Sequence, residues 1–156
     1  MAGKWPRPEL SRDSPSLTAA NSRPTSGCTR KYNCIAWAAG ETFRNWWPDP
    51  LGIGYWPARP VPREVTTSAF VAAYETLNFR LCIGDSYEPG LEKLALFGKS
   101  VGNATVPTHA ALQLPNGEWT SKLGGFEDII HTSLDAVSGP CYGEPVIYMS
   151  RPSTTI

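Results

Sequence analysis

Apolar residues between Asn33 and Phe43 recur at helical spacing: Ile35, Ala38, Ala39 and Phe43 form one stripe, while Cys34, Trp37 and Glu41 share a different side. Asn33 stands directly before this run of helix formers, so the pattern predicts a helix capped by Asn33 and beginning at Cys34. The helix stops at Trp46-Trp47-Pro48-Asp49-Pro50, because proline removes a donor and disfavours helix in the residue before it. A Gly- and Pro-rich loop carrying Tyr55-Trp56-Pro57 continues to Pro62. A second helix is predicted from Ser68 to Leu77, with Thr67 as its cap and Phe70, Val71, Tyr74 and Leu77 on one face.

Downstream the periodicity changes. Leu91 to Phe97 reads as a strand after the turn signal Glu88-Pro89-Gly90. Val106 to Leu114 and Trp119 to Leu123 read as a hairpin around Asn116-Gly117. With those two residues as the loop, Leu114 faces Trp119, Gln113 faces Thr120, Ala111 faces Lys122 and His109 faces Gly124. Alternation then places Ala110, Leu112, Leu114, Trp119 and Leu123 on an apolar face, and His109, Ala111, Gln113, Thr120 and Lys122 on a polar one. Ser121 is a polar intruder on the apolar face, and a one-residue slip or a bulge would exchange the returning strand's set. Phe126 to His131 reads as a short helical turn, and Val146 to Met149 as a final strand. Helices first and a mostly antiparallel sheet afterwards give an α+β class.

Residues 1–27 carry four prolines among many Ser and Thr, the composition of a tail or wrapping arm available to a partner protein. Residues 28–152 then form one domain and 153–156 a C-terminal tail. Formal net charge is zero and Lys and Arg are scattered, which argues against nucleic acid or a membrane surface as the main partner. There is no apolar run of membrane-spanning length and no apolar leader, so the expected location is cytoplasmic, or outside by a route needing no signal peptide. Cys28, Cys34, Cys82 and Cys141 include no C-x-x-C pair, and reduced thiols are expected.

Candidate chemistry centres on Cys34. In the first turn of a helix, free N–H groups and the helix dipole favour a thiolate, which is the nucleophilic form. Its usual partner is an imidazole, and only His109 and His131 exist here. His109, on the polar strand face, suits the base. Gln113, Thr120, Lys122 and His131 are the candidates to orient it, with Lys122 the poorest because like charges repel a protonated imidazole. Trp37, Trp46, Trp47 and Trp56 are expected to wall a substrate cleft. No cofactor or metal is expected for this reading. Two others remain: a non-catalytic binding or assembly module with a Trp-rich loop and a buried Cys34, and a zinc site built from Cys34, His109 and His131.

Taken together, Tyr32-Asn33-Cys34-Ile35-Ala36-Trp37-Ala38, Trp46-Trp47-Pro48, Tyr55-Trp56-Pro57, Lys93-Leu94-Ala95-Leu96, Thr108-His109-Ala110-Ala111, Gln113, Asn116-Gly117-Glu118-Trp119-Thr120-Ser121-Lys122-Leu123-Gly124, Asp128-Ile129-Ile130-His131 and Tyr142-Gly143 resemble an uncharacterised family of small bacterial proteins, over about Leu17 to Pro152. Leu112 departs from it, since arginine is expected there. More distantly, in arrangement rather than identity, the chain is similar to NlpC/P60 and other papain-like cysteine hydrolases. That likeness implies a papain-like fold and cleavage of an amide in a peptide, in peptidoglycan or in a protein, or a related acyl transfer or deamidation. Cys34 is then the nucleophile and His109 the base. No glutamine precedes Cys34 to supply the oxyanion donor that papain-type enzymes place there.

Overall fold

The computed structural model describes residues 4–153. In chain order it contains α1 (Pro8–Asp13), β1 (Ser22–Pro24), α2 (Cys34–Ala38), α3 (Thr67–Glu75), β2 (Arg80–Cys82), β3 (Leu91–Val101), β4 (Ala104–Gln113), β5 (Trp119–Lys122), β6 (Asp128–His131), a 3-10 turn over Leu134–Ala136 and β7 (Glu144–Pro152). The strands form one seven-stranded sheet in the order β1-β6-β5-β4-β3-β7-β2, and every neighbouring pair is antiparallel. Short helices on an antiparallel sheet make the chain α+β. Among the described residues no helix is long and apolar enough to cross a membrane.

α2 starts where its cap requires. Asn33 Oδ1 accepts the Ala36 N–H at 3.0 Å. The same side chain also accepts from the Trp46 N–H at 3.1 Å and donates to the Trp46 carbonyl at 2.7 Å, so one residue both caps the helix and staples the loop to it. The helix is shorter than its stripe suggested: it ends before Gly40, whose φ of +84° suits glycine, and Phe43 lies exposed beyond it. Thr66, one residue before the expected Thr67, caps α3 by accepting the Ala69 N–H at 3.2 Å.

The Trp-rich loop folds onto these helices. Trp47 and Trp56 pack on Phe70 of α3, with ring centroids 5.4 and 4.9 Å away, and Trp46 stacks on Tyr74. Together with Cys34, Ile35, Leu94, Leu96, Ala110 and Met149 they make a core on one sheet face, the helix face. A second core lies on the other face. There Ala95, Phe97, Ala111, Trp119, Leu123 and Ile129 meet Leu134 and Val137, and also Leu10 and Leu17 from the N-terminal segment. Residues 1–3 of the expected tail and 154–156 of the C-terminal one lie outside the described residues, and the N-terminal segment from residue 4 onward runs over this second face, the arm face. Its α1 begins with proline at the first helical position, and its β1 pairs with β6 as an edge strand, where Pro24 is tolerated.

Two expectations are corrected. Residues 128–131 form β6, not a helical turn, and pair with both β5 and β1. The β4–β5 hairpin is one residue out of the expected register: Leu112 faces Thr120 and Gln113 faces Trp119. The reason lies in the turn. Leu114 N–H donates to the Glu118 carbonyl at 2.7 Å and Gly117 N–H to the Leu114 carbonyl at 2.9 Å, so the loop is Pro115-Asn116-Gly117, with Gly117 at φ +91°. Proline fits the first central position of a type I turn, and glycine fits the left-handed residue that follows. The Asn-Gly pair is thus the second half of a three-residue loop.

Candidate functional site

The register shift redistributes every polar residue of β5. Thr120 and Lys122 turn to the helix face with Cys34, and Ser121 turns to the arm face with His109. Two buried polar clusters result, one on each side of the same strands.

On the arm face His109 is fully buried. Its ring lies 5.1 Å from Phe97 and stacks on Tyr142 at 4.3 Å. Its Nε2 lies 3.0 Å from Ser121 Oγ, which lies 2.8 Å from His131 Nε2, and His131 Nδ1 lies 2.8 Å from the Ser133 carbonyl. The carbonyl only accepts, so His131 carries its proton on Nδ1 and its Nε2 is an acceptor. Ser121 therefore donates to His131 and accepts from His109 Nε2–H. That assignment leaves the His109 Nδ1 lone pair without a partner, buried. Burial pushes His109 down to about 3, helped by repulsion from His131, and burial pushes His131 down to about 4 despite its bond to Ser133. Both rings are neutral at pH 7.

Of the expected orienting groups, only His131 joins this chain, through Ser121. Gln113 shares the face but donates to the Asp85 and Gly117 carbonyls at 3.3 and 3.4 Å. Thr120 takes a bond from Trp37 Nε1 at 3.0 Å and donates to the Ile129 carbonyl at 2.9 Å. Ser121, the residue that does hold His109, shows in the sequence only as the polar intruder among apolar neighbours.

The helix face holds Cys34, Lys122, Asp128, Tyr32, Trp37 and Thr120. Cys34 is 9% exposed, and its Sγ lies 4.0 Å from the Thr108 carbonyl. It sits where β4 and β5 separate, since their ladder has only the two registered pairs Leu112–Thr120 and Gln113–Trp119. Burial pushes its thiol up to about 11, against the backbone N–H groups of Ala110, Cys34 and Ile35 and the charge of Lys122, which favour thiolate. Removal from water is the larger influence and opposes the N–H groups and the ammonium, the reverse of the sense expected from the helix start alone. Lys122 is fully buried and donates to the Gly124 carbonyl at 2.7 Å and to the Phe126 carbonyl. Burial lowers its pKa, while Asp128 opposes the shift. Asp128 in turn accepts from Tyr32 Oη at 3.0 Å and from the hydroxyls of Ser26 and Thr25.

Cys34 Sγ thus lies at the edge of β4, against the Thr108 carbonyl and the Ala110 N–H on either side of His109, and no hydrogen bond joins it to the His109 ring. The tryptophans expected as cleft wall gather in the helix-side core beside Cys34, with Trp46 and Trp56 buried and Trp37 and Trp47 half-buried. A cleft of ≈ 260 Å³ does open at the start of α2, but it is lined by Arg30, Tyr32, Asn33, Asn45, Gly124 and Gly125. Its sequence signal was Gly124-Gly125 directly after a strand. Among the described residues no three His, Cys, Asp or Glu side chains, the set Cys34, His109 and His131 included, converge as a metal site.

The chain belongs to a family defined by a domain of unknown function (DUF7689), whose model matches residues 23–150. No curated protein and no solved structure matches it.

Proposed function

From membership in a family without an assigned activity and from this geometry, we propose that the protein is a non-catalytic binding module. One observation carries the reading: no hydrogen bond joins Cys34 to His109, the nucleophile and base that a cysteine hydrolase would need, and the thiol is turned to the Thr108 carbonyl instead. The thiol is held neutral by burial and the imidazole is already engaged with Ser121. Cys34 then fills space at the β4–β5 gap as a small apolar group would. The Trp-rich loop supports the module by roofing its core, so ligand recognition falls to the cleft at the start of α2.

A second reading, a cysteine-dependent amide hydrolase or acyl transferase of papain-like fold acting on a peptide, peptidoglycan or protein, is favoured by the free lone pair on His109 Nδ1. There the gap between β4 and β5 opens, Nδ1 takes the Cys34 proton and returns it to the leaving amine, and Ser121 with His131 holds the ring.

Alkylation at mildly acidic pH, followed site by site with mass spectrometry, separates the two. For a binding module, Cys34 labels more slowly than exposed Cys28 and Cys141 and half-buried Cys82, and His109→Ala leaves its rate unchanged in protein that retains its circular dichroism. A Cys34 that leads the other three, and is slowed by His109→Ala, would overturn the module reading and establish the hydrolase.

A further inference from the structure

We propose that the cleft at the start of α2 is a receptor for an oxyanion, a carboxylate or phosphate group carried by the module's ligand. The turn between β5 and β6 supplies the donors. Buried Lys122 draws the Gly124 and Phe126 carbonyls toward itself, the Leu123 N–H bonds the Glu127 carbonyl at 3.0 Å, and the Phe126 N–H bonds the Leu123 carbonyl at 2.9 Å. Within the described residues this leaves the consecutive N–H groups of Gly124 and Gly125 unbonded, on two residues that line the cleft. Gly124 has φ +59°, and successive free N–H groups at a left-handed residue make the kind of concave donor pair that accepts anions.

The side chains around the turn have the same bias. Arg30 lies directly over Gly125, where an added Cβ would meet its Cγ and Nε at 3.3 Å, and within the described residues its guanidinium makes no ion pair and no hydrogen bond. Asn45 adds an amide that no side-chain bond occupies. Asn33 is consumed by Ala36 and Trp46, and the Tyr32 hydroxyl by Asp128. No carboxylate lines the cleft. The Lys122 ammonium is bonded within the turn, and Asp128, which does not line the cleft, already accepts three hydroxyls. A cleft rich in free donors, carrying an unpaired guanidinium and lacking an acid of its own, is complementary to a planar or tetrahedral oxyanion, which arginine can bind with two parallel N–H bonds.

The biological meaning of this site rests on the binding reading, but its geometry does not. Cysteine labelling tests the former and anion titration the latter: a reactive Cys34 with saturable anion binding would sink the module and leave the receptor standing. The titration uses the full chain labelled with ¹⁵N, with sodium phosphate and sodium acetate added separately against sodium chloride at matched ionic strength. Saturable shifts of the Gly124 and Gly125 amides and of Arg30 Nε are expected in the millimolar range. Arg30→Gln weakens the binding about tenfold, Arg30→Lys restores part of it, and Arg59→Gln, which removes an exposed arginine outside the cleft, changes nothing. Saturation by phosphate alone assigns a phosphorylated ligand, and tighter binding of acetate assigns a carboxylate. Shifts that chloride reproduces, that never saturate, or that survive Arg30→Gln would overturn the proposal.

Discussion

The two polar clusters are built on the same strands yet behave differently. On the arm face, His109, Ser121 and His131 form a closed chain ending on a backbone carbonyl, and all three are fully buried. On the helix face, Lys122 and Asp128 are just as deeply buried, but their bonds run outward to the Gly124 turn and the Ser26 loop, which reach the surface. The first cluster specifies the interior; the second shapes a surface cleft from beneath. The comparison teaches that burial alone does not mark a working site. Where the bonds of a buried charge lead decides whether it serves packing or recognition.

The arm-face cluster should give the larger effect, and pH is the means to break it. The folded pKa values of His109 and His131 lie near 3 and 4, below the ordinary histidine value of 6.5, and these are the chain's two histidines. The unfolded chain therefore binds the extra protons first. Their contribution to stability is complete above pH 6.5 and is lost as pH falls through about 4 for His131 and about 3 for His109. The slope approaches two protons, roughly 2.7 kcal/mol per pH unit, until His131 is charged, and one proton below that. Carboxylates lowered by their partners, such as Glu41 beside Arg44, keep their full contribution above the ordinary value of 4.5 and lose it as pH falls below that, so the range above 4.5 reports the histidines. Urea denaturation between pH 7 and 4.5 measures the slope, and His131→Asn should reduce it to about one proton. A stability flat across that range would show that the rings are not buried as neutral groups.

The helix-face cluster is broken by Lys122→Met. This substitution keeps the apolar stem but leaves the Gly124 and Phe126 carbonyls without their donor, at a cost of about 3 kcal/mol. Because those carbonyls hold the turn, the loss should extend to function: the Gly124 and Gly125 amide resonances should broaden and the anion response should weaken, while the acid slope set by the histidines stays as in the parent. If Lys122→Met instead flattened the acid slope, the two faces would be one coupled network, not two.

Local chemistry made part of this legible in advance. The helix at Cys34 followed from Asn33, and the extended character of β3, β4, β5 and β7 from alternation and turn residues, since each depends on neighbours within a few positions. β6 was hidden because Asp128-Ile129-Ile130-His131 has no period of two, and its strand state comes from pairing with β5 and β1. The arm's course was hidden for a similar reason: Leu10 and Leu17 are too sparse to show a face until the second core receives them. The site depended on a single residue of register. Reading Asn116-Gly117 as the whole turn placed Lys122 on the face of His109 and Ser121 among apolar residues on the other, whereas Pro115 joins the loop and reverses both.

That dependence supplies the smallest and sharpest test. Gly117 holds φ +91°, a region where an L side chain is strained by about 1 kcal/mol. Its added Cβ would otherwise meet the Tyr87 side chain at 3.7 to 3.8 Å, an ordinary packing distance, so backbone strain is the main cost of Gly117→Ala. The expected loss is therefore about 1 kcal/mol, with asparagine, which tolerates the left-handed region better, losing less. If the register is set by the three-residue loop, cross-strand NMR contacts between Leu112 and Thr120 persist in both variants, and the histidine slope and the anion response persist with them. Should Gly117→Ala instead shift the pairing so that Gln113 meets Thr120, every β5 side chain would change face, Ser121 would leave His109, and both clusters would fail together.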